Sequence, residues 1–271
     1  MSEREFKIMR WDGSFDGPWS SEAVEKYRSG GFDGLSVTPG SEWNPASLDL
    51  LKDLPGLRFF NVRTRISDDL DAFRCETMED LTLVTGSRRK IPEVVQPNLR
   101  SLCLTDRPGL EVGSRWPALE GLRIGAWRGV SLQGLRCTGS LTRMHLEGRR
   151  QKGTVEGIES CSSLAEFTAI NYSVEDTAPL GNLSGLCEVK LLAASPTPSH
   201  GRVSFADIAS PELSKVWISN ARDLVEFQAL RSFPKLREVR LIECRIDEFG
   251  MEQLSSLPSS VDVRLIDSID S

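Results

Sequence analysis

The chain has 271 residues, 27% of them charged and 39% hydrophobic, with a formal net charge of -6 at pH 7. That acidic balance, with a pI of about 5.2, argues against a general nucleic-acid binder, because such domains are strongly basic. No apolar run approaches the roughly 18 residues of a membrane-spanning helix, and the opening MSEREFKIMRWDG lacks the apolar centre of a signal peptide.

Residues 1–31 read as an N-terminal cap. Phe6-Lys-Ile-Met-Arg-Trp11 suits a strand, and Ser20 or Ser21 can N-cap a short helix through Tyr27 that Gly30-Gly31 ends. Trp11 and Trp19 suit the core of this cap. From residue 32 onward a phrase of the form apolar-x-x-apolar-x-apolar recurs at steps of 20 to 27 residues. Its copies are Phe32/Leu35/Val37, Leu57/Phe60/Val62, Met78/Leu81/Leu83, Leu99/Leu102/Leu104, Leu119/Leu122/Ile124 and Leu141/Met144/Leu146. They continue as Leu164/Phe167/Ala169, Leu186/Val189/Leu191, Leu213/Val216/Ile218, Leu236/Val239/Leu241 and a degenerate Ser260/Val263/Leu265.

The segments between phrases differ along the chain. Asn44-Pro45 followed by Ala46–Lys52 predicts a helix, as do Ser67–Phe73, Asp223–Arg231 and Asp247–Leu254. Between about 86 and 185 the segments are short and rich in Gly and Pro, which predicts extended or 3₁₀ pieces. The longest step, 27 residues, holds Ala193–Arg202, read as an exposed loop and a candidate binding element.

One strand with a return path cannot bury its own apolar face, so the copies must stack side by side with phrase positions 1, 4 and 6 inward. Leu236-Arg-Glu-Val-Arg-Leu-Ile-Glu-Cys-Arg-Ile246 matches L-x-x-L-x-L-x-x-N/C-x-L in full. The chain thus resembles the leucine-rich repeat family over roughly residues 32–267, in particular its irregular, stand-alone bacterial members. The resemblance implies an α/β solenoid: a curved parallel sheet of about 11 strands, with short helices or irregular segments on the convex side. Residues 1–31 would cap it and residues 32–271 would form the solenoid. One departure stands out. The family's Asn or Cys at phrase position 9 is met only by Cys244. Arg65, Arg107, Trp127, Arg149, Tyr172 and Ala221 occupy it elsewhere, so buried backbone groups need other partners.

Two surfaces are candidates for recognition. On the concave strand face, position 3 carries Arg143, Glu166, Glu188, Lys215, Glu238 and Asp262. Position 5 carries Arg123, His145, Thr168, Lys190, Trp217, Arg240 and Arg264. An acid-rich row beside a base-rich row reads either as a self-neutralising ladder or as a charged site anchored by an exposed Trp217. The rim just after the strands carries Arg63, Arg65, Arg88, Arg89, Lys90, Arg107, Arg128, Arg149, Arg150 and Lys152, a basic stripe suited to an acidic ligand.

Catalytic signatures are absent from the sequence. His145 and His200 are its two histidines, and no HExxH pair, GxSxG elbow or P-loop occurs. The six cysteines are at least 24 residues apart, so no CxxC motif exists, and all are expected to be free thiols in a cytoplasmic protein. No metal or cofactor is implied. The family resemblance implies a non-catalytic module that binds a protein partner through its concave face and adjoining loops, such as an immunity protein, antidote or adaptor. The alternatives are a reader of nucleic acid or phosphoprotein through the basic rim, and a substrate-presenting subunit of a modifying enzyme. A monomer is expected.

Overall fold

A computed structural model of the chain describes residues 5–38, 40, 45–137, 139–194, 197–208 and 210–270, the side chains of 269 and 270 excepted. Two compact units, Met1–Gly125 and Ala126–Ser271, divide it. In the first unit, β1 (Ile8–Asp12), β2 (Gly34–Thr38), β3 (Phe59–Val62), β4 (Asp80–Leu83), β5 (Ser101–Thr105) and β6 (Gly121–Trp127) lie side by side in chain order. Their pairings are parallel. The inward positions Leu35, Phe60, Val62, Leu81, Leu83, Leu102, Leu104, Leu122 and Ile124 are all buried. Each such side chain contributes roughly 1.5–3 kcal/mol through burial.

The N-terminal segment forms a strand and a short helix. Ser20 Oγ accepts from the Ala23 N–H at the start of α1 (Ser21–Ser29), and Lys26 and Arg28 sit in its last turn, where the helix dipole favours cations. Ala23 and Tyr27 face inward, and Trp11 packs edge-on against Trp19 with ring centroids 5.3 Å apart. Strand β1 pairs with β2 and so adds one parallel strand to the 11 or so expected from the phrases.

The second unit continues the pattern. Here β7 (Arg143–Gly153), β8 (Glu166–Val174), β9 (Glu188–Leu192), β11 (Lys215–Ser219), β13 (Glu238–Ile242) and β15 (Asp262–Ile266) are successive parallel neighbours. A second run of parallel pairs follows them. The end of β7 pairs with the end of β8, β10 (His200–Ser204) with β12 (Ala221–Val225), and β14 (Arg245–Ile246) with β16 (Ile269–Asp270).

The turn into this second run answers the missing asparagines. Ala126, Asn171, Asn220, Glu243 and Asp267 each stand seven residues after a phrase start, and all have φ between 50° and 54°. A left-handed residue there swings the chain so that the next side chain points inward. Trp127, Tyr172, Ala221 and Cys244 are accordingly buried. Backbone carbonyls find partners case by case. Cys244 Sγ donates to the Ile218 and Ile242 carbonyls, Gln151 Nε2 to that of Trp127, Tyr172 Oη to that of Thr154, and Arg107 Nε to that of Thr105.

Several expected helices are not helices of the α type. Asp49–Asp53 and Leu70–Arg74 are 3₁₀ turns, since a repeat of this length leaves room for a single tight turn on the return. Asn44 lies outside the described residues. The stretch 223–231 begins as β12 and ends in a 3₁₀ turn, because the left-handed Asn220 feeds the chain into the second run of pairs. Of the return segments predicted as helices, α2 (Glu248–Ser255), capped by Asp247, keeps its predicted form. The segment 193–202 is also corrected. Ser195 and Pro196 lie outside the described residues, but Thr197 and His200 are buried and β10 starts at His200.

All six cysteines are free thiols. Cys161 is fully buried beside the Cys137 thiol, and that neighbour together with burial raises its pKa far above the ordinary thiol value. No helix among the described residues is long and apolar enough to cross a membrane.

Candidate functional site

In the second unit the strand register brings the predicted outward rows together. Arg143, Glu166, Glu188, Lys215, Glu238 and Asp262 stand opposite one another across successive strands. His145, Thr168, Lys190, Trp217, Arg240 and Arg264 do the same one step along. Arg123 lies on β6 of the first unit, exposed, opposite Cys103.

The rows neutralise one another locally. Glu188 pairs with Lys190 along its own strand and with Lys215 across to β11 at 2.9 Å. Glu238 pairs with Arg240 at 2.5 Å, and Asp262 with Arg264 at 2.7 Å. Burial pushes the Glu188 carboxyl up, but its hydrogen bonds to the two lysines outweigh this and hold it below the usual range. The bond to Glu188 in turn raises the Lys215 ammonium.

Trp217 lies at the centre of this lattice. The sequence suggests an exposed indole, whereas the ring is half-buried under its neighbours. The Arg240 guanidinium carbon lies 4.2 Å from a ring centroid, Lys190 Nζ 4.5 Å and Lys215 Nζ 5.5 Å. Three cations on one π-system fix its orientation, each contact worth about 0.5–1 kcal/mol when solvated. The indole Nε1 and the Arg240 Nε are enclosed without a hydrogen-bond acceptor. The result is an aromatic plate framed by three cations, each of which is itself paired with a glutamate.

The basic rim is reduced. Arg107 does not belong to it, because its side chain is wholly enclosed and Nη1 bonds Asp69 Oδ1 at 2.6 Å. An inward position 9 and a buried carboxylate draw it inside. In the first unit Arg89 pairs with Asp68 and Lys90 with Glu93, while Arg63, Arg65 and Arg88 are exposed. In the second unit Arg128, Arg149, Arg150 and Lys152 are exposed, the last three on β7 with no ion pair among the described residues.

His200 is a structural residue, although the Pro and Ser around it read as loop. Its Nδ1 accepts from the Val174 N–H at 3.0 Å and ties β10 to β8. Burial pushes its pKa down to about 4. A histidine whose folded pKa is depressed stabilises the fold above its unfolded value near 6.5, and that contribution is lost as pH falls toward 4. Denaturation midpoints of wild type and His200→Asn should therefore diverge between pH 7 and 4. The wild type should lose up to roughly 3 kcal/mol more than the variant over that window. Parallel pH curves would show that His200 is not held neutral.

The fold defined by these strands and turns is that of the leucine-rich-repeat proteins. Among solved structures, the chain is similar to an internalin (inlF) from Listeria monocytogenes, with a TM-score of 0.62 and 16% identity over 93% of this chain and 71% of that one. It is also similar, at TM-scores of 0.40 and 0.46, to an internalin C2 from the same organism and to the plant peptide hormone receptor RGFR1 in complex with RGF2. These have 15% and 12% identity, cover 83% and 92% of this chain, and are themselves covered over 76% and 42% of their lengths. The fold comparison rests on the first of the three. No protein-family model and no curated protein sequence matches the chain.

Proposed function

We propose that the protein is a non-catalytic recognition module that holds one dedicated protein partner against the outward strand face of its second unit. The observation that carries this reading is Trp217, a large aromatic plate immobilised by Lys190, Lys215 and Arg240 and therefore costing little entropy to engage. An antidote, immunity protein or adaptor is the form such a module takes when it serves one partner. On this reading residues 1–31 cap the solenoid, and the six free thiols suit a reducing, cytoplasmic setting.

The test is to identify by mass spectrometry what co-purifies with the native protein and then to measure its affinity. Trp217→Ala combined with Arg240→Glu should weaken binding by at least about 2 kcal/mol, more than tenfold, with the far-ultraviolet circular dichroism unchanged. A second reading has its own support in Arg149, Arg150 and Lys152, which are exposed and have no ion pair among the described residues, and which would suit a phosphate-bearing ligand. Binding of that kind should fall steeply with salt and be lost in an Arg149→Glu, Arg150→Glu variant. If that variant loses the partner while the Trp217 variant keeps it, the strand-face reading is wrong.

A further inference from the structure

Beside the second run of strand pairs, two exposed cations of the second unit flank a polar hollow. Lys152 comes from the end of β7 and Arg222 from β12. Between them lies a space of about 520 Å³, lined by Thr197, Ser199, His200 and Asn220. Small-molecule sites have volumes of roughly 300–1,000 Å³. Neither Lys152 nor Arg222 has an ion pair among the described residues. No carboxylate lines the hollow, and burial keeps His200 neutral, so its charge is that of two cations.

The floor consists of short side chains fixed by hydrogen bonds. In register, Lys152 stands opposite Ser173, and Gly201 is level with Arg222, so no long side chain fills the gap. Ser173 Oγ donates to the Ser199 carbonyl at 2.6 Å, and Ser199 Oγ to Asn220 Oδ1 at 2.9 Å. Asn220 Nδ2 donates to the Thr197 carbonyl at 3.0 Å, which leaves its second amide proton for a ligand. The His200 N–H closes the network on the Asn220 carbonyl at 3.0 Å. Binding therefore has to order two side chains and no backbone, which keeps its entropic cost low.

We propose that this hollow binds a small phosphate monoester between Lys152 and Arg222. Such a group carries about -1.5 to -2 charges at neutral pH, which two cations match. The planar guanidinium of Arg222 can donate to two phosphate oxygens at once, and Lys152 supplies a point charge. The lining offers hydroxyl and amide groups and no large apolar side chain, which suits a hydroxylated carrier such as a sugar phosphate. The site is independent of the strand-face reading. It shares Lys152 with the basic rim but uses Arg222 in place of Arg149 and Arg150.

A proton NMR titration with glucose 6-phosphate at constant ionic strength tests this. The chain has two histidines, so the ring resonances of His200 in the hollow and His145 on the strand face can be told apart. The His200 resonance should shift saturably with glucose 6-phosphate and stay still with glucose. R222E should weaken the binding at least about tenfold. K152E should do the same, which provides the reading should R222E disturb the fold. R149E/R150E should titrate like the wild type. No saturable shift, an equal shift with glucose, an unchanged affinity in R222E and K152E, or a loss in R149E/R150E as large as theirs would each overturn the proposal.

Discussion

Leu146→Asp should abolish the cooperative unfolding transition of the chain. Leu146 sits on β7 at an inward phrase position, is fully buried, and stands opposite Ala169 on β8. Aspartate there loses the apolar contacts of the leucine and places a carboxyl at a fully buried position. The packing loss alone is about 2–5 kcal/mol, and an unpaired buried polar group adds roughly 1–3 more. Domains of this kind are stable by only about 5–15 kcal/mol. A solenoid passes stability through nearest-neighbour contacts, so the damage reaches the repeats on either side. Leu146→Met, which conserves volume, should cost under about 1.5 kcal/mol. Thermal melts followed by circular dichroism distinguish the two, and an unchanged melting temperature in Leu146→Asp would mean that the inward register is wrong.

Asp69→Ala should cost about 3–5 kcal/mol, because it leaves the Arg107 guanidinium enclosed without its counter-ion. Both side chains are wholly buried, and the pair is held further by Thr85, whose Oγ1 bonds Asp69 Oδ2 at 2.5 Å. The guanidinium also lies 5.8 Å from the Phe73 ring centroid. Asp69→Leu combined with Arg107→Met removes both charges and fills similar volume, so it should recover most of the loss or exceed the wild type. Urea denaturation of the wild type, the single and the double variant reads this directly. A double variant as unstable as the single would show that the pair itself, rather than the stranded charge, carries the stability.

Both predictions begin from the phrase, yet they differ in what the sequence revealed. The inward leucines and the two outward rows were legible, since side chains on a strand alternate and every copy repeats the same alternation. That is why Glu188, Lys215 and Glu238, separated by more than twenty residues in sequence, fall opposite one another as expected. Trp217 lies in the outward row that its phrase position implies, but its half-buried state is not legible, because Lys190 and Arg240 cover it from adjacent strands.

Local sequence alone thus determined a stack of parallel strands, their inward and outward sets, the cap helix and the helix after Asp247. Each follows from short-range physics: a two-residue side-chain period, a capping hydroxyl or carboxylate, and an apolar face too small to be buried without a neighbour. Tertiary structure decided the rest. Arg107 reads as one more rim cation until Asp69, 38 residues earlier, is found beside it. His200 reads as part of a loop until the Val174 N–H reaches its ring. The left-handed turns at Ala126 and Glu243 fall on residue types that do not mark them, unlike the asparagines at 171 and 220, which favour that conformation. In each case the deciding interaction joins different repeats, and its free energy depends on burial that exists only once the repeats have stacked.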